Sequence, residues 1–230
     1  MFVTVFGQKG GVAKTCTSVH LAAIWSNQYQ SVVLVDADRN RSASAYGARG
    51  LLKFEVAPIE AAAKATRYCE VVVTDGQASS SQEEIKNLVD GADVIILPTA
   101  AQTRSLELTL EMAEHLKQFN VPFAALMVKV DSRKAKVARE IRQALEAAGI
   151  TVLRAQIPLL AAFEKAENAG VTVDQAVSAA GKSDPRRMIG WHAYTKACQE
   201  IVELVPQRTN VIPMHPIGWD TTPLEQRRAA

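Results

Sequence analysis

Within its first 25 residues the chain changes character twice. Phe2-Val3-Thr4-Val5 is a short apolar run of the kind that forms a buried strand. Phe6-Gly7-Gln8-Lys9-Gly10-Gly11-Val12-Ala13-Lys14-Thr15-Cys16-Thr17 follows, and from Thr17 to about Trp25 the apolar spacing is helical. Few folds accept a strand, a glycine-rich turn and a helix opening on Lys-Thr in that order. Gly10 and Gly11 let the backbone curl until successive N–H groups point inward. The helix start adds its own unpaired N–H groups, so the stretch reads as a phosphate cradle. Lys14 supplies a mobile charge for the β- and γ-phosphates, and the Thr15 hydroxyl suits a Mg²⁺ ion. The spacing from Gly7 to Lys14-Thr15 fits G-x-x-x-x-G-K-[ST], except that Ala13 stands where glycine is usual. Its methyl group is tolerable there if its φ is negative. The bland alternative is a glycine-rich turn with a chance Lys-Thr. The strand before it and the helix after it argue against that.

The remainder alternates in the same way. Apolar runs at 31–35, 70–74, 93–97, 122–130 and 151–157 read as strands, with an edge strand at 54–57. Pro98 stops one of them and Pro158 another. Helices are expected at 59–67, 83–89, 106–119, 132–148 and 160–168. A last one opens on Asp184-Pro185 as N-cap and first residue and runs to about Val205. Strands alternating with helices predict an α/β fold: a doubly wound, mostly parallel sheet flanked by helices on both faces, as in a P-loop NTPase. In such sheets the ligand sits at the carboxyl ends of the strands, where Asp36-Ala37-Asp38, Asp75 and Pro158 also fall. Residues 1–205 form one domain. Residues 206–230 hold four prolines and no helical stripe, and read as a tail that is mobile or lies over the domain.

Lys9-Gly10-Gly11-Val12-Ala13-Lys14-Thr15 resembles the deviant Walker A motif, K-G-G-x-x-K-[ST], of the ParA/MinD family of ATPases. The resemblance implies that Lys9 reaches across a dimer interface to the partner's nucleotide. Gly10, Gly11, Val12, Ala13, Lys14, Thr15 and Cys16 would then hold ATP, with Lys9, Lys14 and Asp38 as the catalytic set. Asp36-Ala37-Asp38 is similar to the family's D-x-D, although Arg39-Asn40 replace the usual Pro-Gln. By position Asp38 would orient the attacking water. Asp36 would support Mg²⁺ together with Thr15 and Asp75. The alternative for strand-end aspartates is capping of the next helix. Val71 to Gly76 resembles Walker B, and its Asp-Gly ending looks like the small ParF-like plasmid-partition proteins. Gln156 and Pro158 occupy the place where the family's late loop lines the adenine.

The resemblance covers about residues 1–205 and implies a ParA-type partition ATPase. Such a protein closes into an ATP-dependent homodimer, binds nonspecific nucleoid DNA and answers to a centromere-binding partner. Net charge is only +2, so DNA binding needs a local patch. Lys182, Arg186 and Arg187 are the favoured cluster. Lys129, Arg133, Lys134, Lys136, Arg139 and Arg142 make a denser run, whose helical part is equally a solvated face. Three scattered cysteines fit a reduced cytoplasmic protein, here nucleoid-associated, and four dispersed histidines suggest no zinc site. The first strand leaves no room for a signal peptide or a preceding helix-turn-helix, and no run is long enough to span a membrane. The rival readings are a MinD-like positioning ATPase, a metabolic or metal-handling enzyme of the same nucleotide-binding class, and an ATP-gated DNA scaffold with negligible turnover.

Overall fold

A computed structural model describes residues 1–7, 10–77, 82–177 and 181–206. Seven strands form one sheet: β1 (Phe2–Val5), β2 (Val32–Ala37), β3 (Glu55–Pro58), β4 (Val71–Gly76), β5 (Val94–Ala100), β6 (Phe123–Val130) and β7 (Val152–Pro158). All neighbours are parallel, in the order β3-β2-β4-β1-β5-β6-β7. The inner strands β2, β4, β1, β5 and β6 are buried on both faces, which is why they read as continuous apolar runs, whereas the edge strands β3 and β7 expose alternate residues. The helices are α1 (Lys14–Trp25), α2 (Ser42–Gly47), α3 (Ala62–Ala65), α4 (Gln82–Asp90), α5 (Thr103–Leu116), α6 (Ala135–Ala147), α7 (Ala161–Ala169) and α8 (Arg187–Leu204).

One face of the sheet (Val3, Val5, Leu34, Val73, Ile96, Leu126) packs on Leu21 and Trp25 of α1 and on Tyr194, Cys198 and Ile201 of α8. On the other, Ile95 and Leu97 meet α4 and α5, and Ala125 and Met127 meet α5 and α6. Val33, Val35 and Val72 lie under α3. The doubly wound expectation is met. β1 lies between β4 and β5, so the strand order reverses at β1 and opens a crevice at its carboxyl end. The phosphate loop leaves the sheet there. Gly76 ends β4 beside it, and a Cβ at that position would stand 3.0 Å from the Val5 carbonyl oxygen.

Two local expectations fail. β5 runs through Pro98, which pairs with Leu126 of β6. The Ile96 carbonyl accepts the Phe6 N–H, so even-numbered residues of β5 face β1. β1 has left the sheet at the level of Pro98, and the proline's missing N–H costs no ladder bond. α8 begins at Arg187, not Pro185, because Asp184 closes a turn instead of capping the helix. Its Oδ1 accepts the Arg186 N–H and its Oδ2 accepts the Lys165 ammonium. On α6 the buried face uses Ala138 with Ile141 and Leu145, leaving Val137 exposed. Residues 207–230, nearly all of the expected tail, lie outside the described residues.

Candidate functional site

The loop after β1 reaches α1 through two left-handed positions, Gly11 at φ 78° and Ala13 at φ 61°. Ala13 thus does not meet the condition of a negative φ under which its methyl group would sit without strain. The turn places the Ala13 carbonyl to accept the Thr17 N–H at 2.8 Å, which starts α1. A left-handed alanine costs about 1–2 kcal/mol, so the loop carries strain at the residue before Lys14. A Cβ added to Gly10 or Gly11 would meet no protein atom. The open space beside the loop is room for a ligand.

Beneath the loop sits Asp75, fully buried at the end of β4. Thr15 donates its hydroxyl to Asp75 Oδ2 at 2.7 Å, and Ser18 donates to Oδ1 at 3.0 Å. Burial pushes the Asp75 carboxyl up to about 6, against the pull of those two hydrogen bonds, and neighbouring Asp36 pushes the same way. Lys14 is 7% exposed. Burial lowers its pKa, while Asp38 and Asp75 favour its charged form. A buried cation, a hydroxyl and a carboxylate thus share one end of the crevice. Among the described residues no three His, Cys, Asp or Glu groups gather as a metal cluster. The donor set suits a hard cation that keeps water and phosphate ligands, not a caged one.

Asp36 and Asp38 divide their work. Asp36 is fully buried and accepts the Ser44 N–H at 2.7 Å and the Asp38 N–H at 3.2 Å. It builds the loop into α2, which is the capping alternative raised by the sequence. Asp38 is half-buried and lines the cavity, where its Oδ1 accepts the Asn40 N–H at 2.9 Å.

The cavity has a volume of about 720 Å³. Gly10, Gly11, Ala13, Lys14 and Thr15 line its polar end, and Val128, Ile157, Pro158, Leu160, Phe163 and Tyr194 its apolar end. Size and division suit a nucleotide, phosphates at one end and base at the other. Cys16 also faces the cavity. Burial pushes its thiol up to about 12, so it stays protonated and contributes shape.

The model of the CobQ/CobB/MinD/ParA nucleotide binding domain matches residues 3–173. This chain belongs to that family. Similarly folded structures include a Borrelia burgdorferi protein assigned to plasmid partition and bound to AMPPNP, with a TM-score of 0.67 at 13% identity over 88% of this chain and 98% of that one. The MinD protein of Pyrococcus horikoshii with Mg-ADP has a TM-score of 0.64 at 14% identity, covering 91% and 99%. Cobyrinic acid a,c-diamide synthase of Mycobacterium smegmatis, with ADP and magnesium, has 0.62 at 18% identity, covering 90% and 98%. At these identities the likeness is one of fold. No curated protein matches significantly in sequence.

For this ParA/MinD-family member, the structure brings Gly10, Gly11, Ala13, Lys14, Thr15, Cys16, Asp38 and Pro158 around one cavity, with Asp75 beneath. Val12 is buried and does not line the cavity. Gln156 is a correction: it is exposed on β7 and does not line the cavity, because buried Ala155 and Ile157 alternate with it. Lys9 lies outside the described residues. Lys182 and Arg186 are exposed. Arg187 is turned inward, donating to the carbonyls of Asp174 at 2.8 Å and Asp184 at 3.2 Å. Among the described residues no helix is long and apolar enough to cross a membrane. Sequence reasoning missed Ser18, Phe163, Tyr194 and the place of Lys129 in the cavity wall. Ser18 could have been found, being one turn beyond Thr15 on the same helix face.

Proposed function

We propose that this chain is a ParA-type partition ATPase, closest to the small ParF-like members. It closes into an ATP-dependent dimer, binds DNA without sequence preference, and hydrolyses ATP slowly until a partner stimulates it. The observation that carries this reading is the convergence of Lys14, Thr15, Asp75 and Asp38 on the polar end of the cavity. Bound Mg·ATP would supply the phosphoanhydride and a cation that offsets its charge. The chain's residues do the rest. Lys14 meets the β- and γ-phosphates, and Thr15 and Asp75 hold the metal, with Asp36 behind them. Asp38 accepts a hydrogen bond from the attacking water and orients it. Lys9 acts at the partner's nucleotide, so charge on one subunit's phosphates draws the other subunit in. Two subunits then present two basic surfaces to DNA, which raises avidity. A centromere-binding protein that speeds hydrolysis releases the dimer, and cargo follows the gradient over the nucleoid.

The test combines calorimetry, light scattering and phosphate release. Lys14→Ala is expected to lose ATP binding with its far-ultraviolet circular dichroism intact. Asp38→Ala is expected to bind ATP and dimerise while turning over roughly a hundredfold more slowly. Unchanged ATP affinity in Lys14→Ala would remove the assignment. Undiminished turnover in Asp38→Ala would move water activation elsewhere. A wild-type protein that binds ATP and DNA but never releases phosphate would be an ATP-gated scaffold.

A further inference from the structure

Lys129 stands near the end of β6, 118 residues from Gly11 in sequence, yet it touches the phosphate loop. Its φ is +52°, one of three positive values among described non-glycine residues. The β6–β7 register shifts between Met127 and Val130, so the strand is irregular where the left-handed residue falls. The side chain enters the cavity wall and its ammonium donates to the Gly11 carbonyl at 2.7 Å. No carboxylate among the described residues pairs with it within 4.0 Å.

A lysine with an ordinary extended backbone would cost nothing, whereas the left-handed turn costs about 1–2 kcal/mol. Strain of this kind persists where the surroundings over-determine it, often beside a site. What the turn achieves here is reach. A trans peptide holds its C=O and the following N–H antiparallel, so fixing the Gly11 carbonyl also fixes the direction of the Val12 N–H. A Cβ added at Gly10 or Gly11 would meet no described atom within 4 Å, so the arc is open on that side and the Lys129 ammonium is a brace that reaches it from β6. An ammonium has three hydrogens, and one is used.

We infer that Lys129 is a positioning residue of the nucleotide site, tying the phosphate loop at Gly11 into its binding shape and adding a second cation to the wall that faces the polyphosphate. The inference rests on the proposed nucleotide reading and sharpens it: the loop is held by the far half of the sheet, so binding depends on β6 as well as on α1. Its ligand class is a nucleoside di- or triphosphate, with little consequence for a nucleoside that lacks phosphate.

The test is calorimetric titration of the full chain with Mg·ATP, Mg·ADP and adenosine. Lys129→Met keeps most of the stem and removes the charge. It is expected to weaken ATP and ADP binding about tenfold or more, and to leave adenosine within about twofold. Lys129→Arg should retain most of the wild-type affinity for both phosphates. Lys129→Gly removes the strain along with the cation, so its melting temperature should not fall although its ATP affinity does. Equal losses for all three ligands, or a lowered melting temperature in Lys129→Gly, would mean a merely structural lysine and overturn the inference. So would unchanged ATP affinity in Lys129→Met. If Lys14→Ala also binds ATP like the wild type, the nucleotide reading itself has failed. If only the Lys129 variants behave as wild type, that reading stands and this inference falls.

Discussion

Ala13 puts a methyl group where the backbone turns left-handed, and the sequence alone could not show it, because residue order does not fix the sign of φ at a non-glycine position. Ala13→Gly removes the steric cost of about 1–2 kcal/mol and gives back part of it as chain entropy. A net gain of about 1 kcal/mol is expected, seen as a melting temperature about 2–4 °C higher. No rise would mean that the loop relaxes around the methyl group. His20 is a second residue whose role only the structure reveals. It is buried under the cavity floor, its Nε2 accepting the Val173 N–H at 3.0 Å while Nδ1 lies 2.6 Å from the Cys16 carbonyl, which fixes one neutral tautomer. Its ring stacks on Tyr194 at 4.9 Å. Burial pushes its pKa down to about 4, against the Cys16 carbonyl and Asp174, which favour the charged form. The unfolded chain protonates this ring near the ordinary 6.5, so the folded state is the weaker proton binder. Its contribution to stability is therefore full above pH 6.5 and is lost as pH falls from there through about 4. Melting curves across that range should show the loss in the wild type and a flatter profile in His20→Gln. Parallel profiles would assign the acid sensitivity to other groups.

Elements were more legible than their ends. Apolar runs located every strand, and the carboxylates at the ends of β2 and β4 were readable because parallel strands deliver their last residues to one crevice. Pro98 and Asp184 misled for one reason: both are stop or start signals judged without neighbours. β1's early departure makes Pro98 harmless, and Asp184 closes a turn on the Arg186 N–H while its other oxygen pairs with Lys165, so α8 starts at Arg187. The β7 irregularity was invisible for the same reason, since two extra residues against β6 leave no mark on an apolar run. That irregularity turns the successive N–H groups of Arg154 and Ala155 toward α8, where Glu200 accepts both, at 2.6 and 3.0 Å. One carboxylate thus caps an irregular stretch on the last strand of the sheet. Glu200→Ala would leave two amides without a partner and should lower the unfolding free energy by about 1.5–3 kcal/mol. Glu200→Gln, which keeps one acceptor oxygen, should lose less. Denaturant titration measures both; a loss under about 0.5 kcal/mol in Glu200→Ala would mean that water serves the amides equally well.

At the scale of the whole molecule the open issue is where a chain of net charge +2 would meet DNA. Sequence could count basic residues but not see which are already employed. Arg187 holds two carbonyls at the start of α8, Arg142 donates to the Leu153 carbonyl at 2.6 Å, and Arg133 is paired with Asp131. Arg154 leans on Glu200 and Glu203. Arg187 and Arg142 tie down backbone carbonyls, whereas the pairs of Arg133 and Arg154 lie at the surface and contribute little; replacing Arg187 would disturb the turn that seats α8 as well as any DNA surface. Arg186 is exposed beside it and is the better probe, with exposed Arg139 of α6 as the probe of the rival face. Binding to phosphates releases counterions, so the logarithm of affinity should fall linearly with the logarithm of salt, by about 0.9 per phosphate neutralised. Fluorescence anisotropy on two unrelated duplexes, with Mg·ATP, should give equal affinities and a common slope. A dimer carries each arginine twice, so Arg186→Ala should flatten that slope by about 2, equally on both duplexes. Lys14→Ala, unable to dimerise, should bind weakly in every salt. If Arg139→Ala flattens the slope and Arg186→Ala does not, DNA lies along α6. If affinity is independent of ATP, the two surfaces are not joined by the nucleotide, and the coupling at the centre of the proposed cycle is absent.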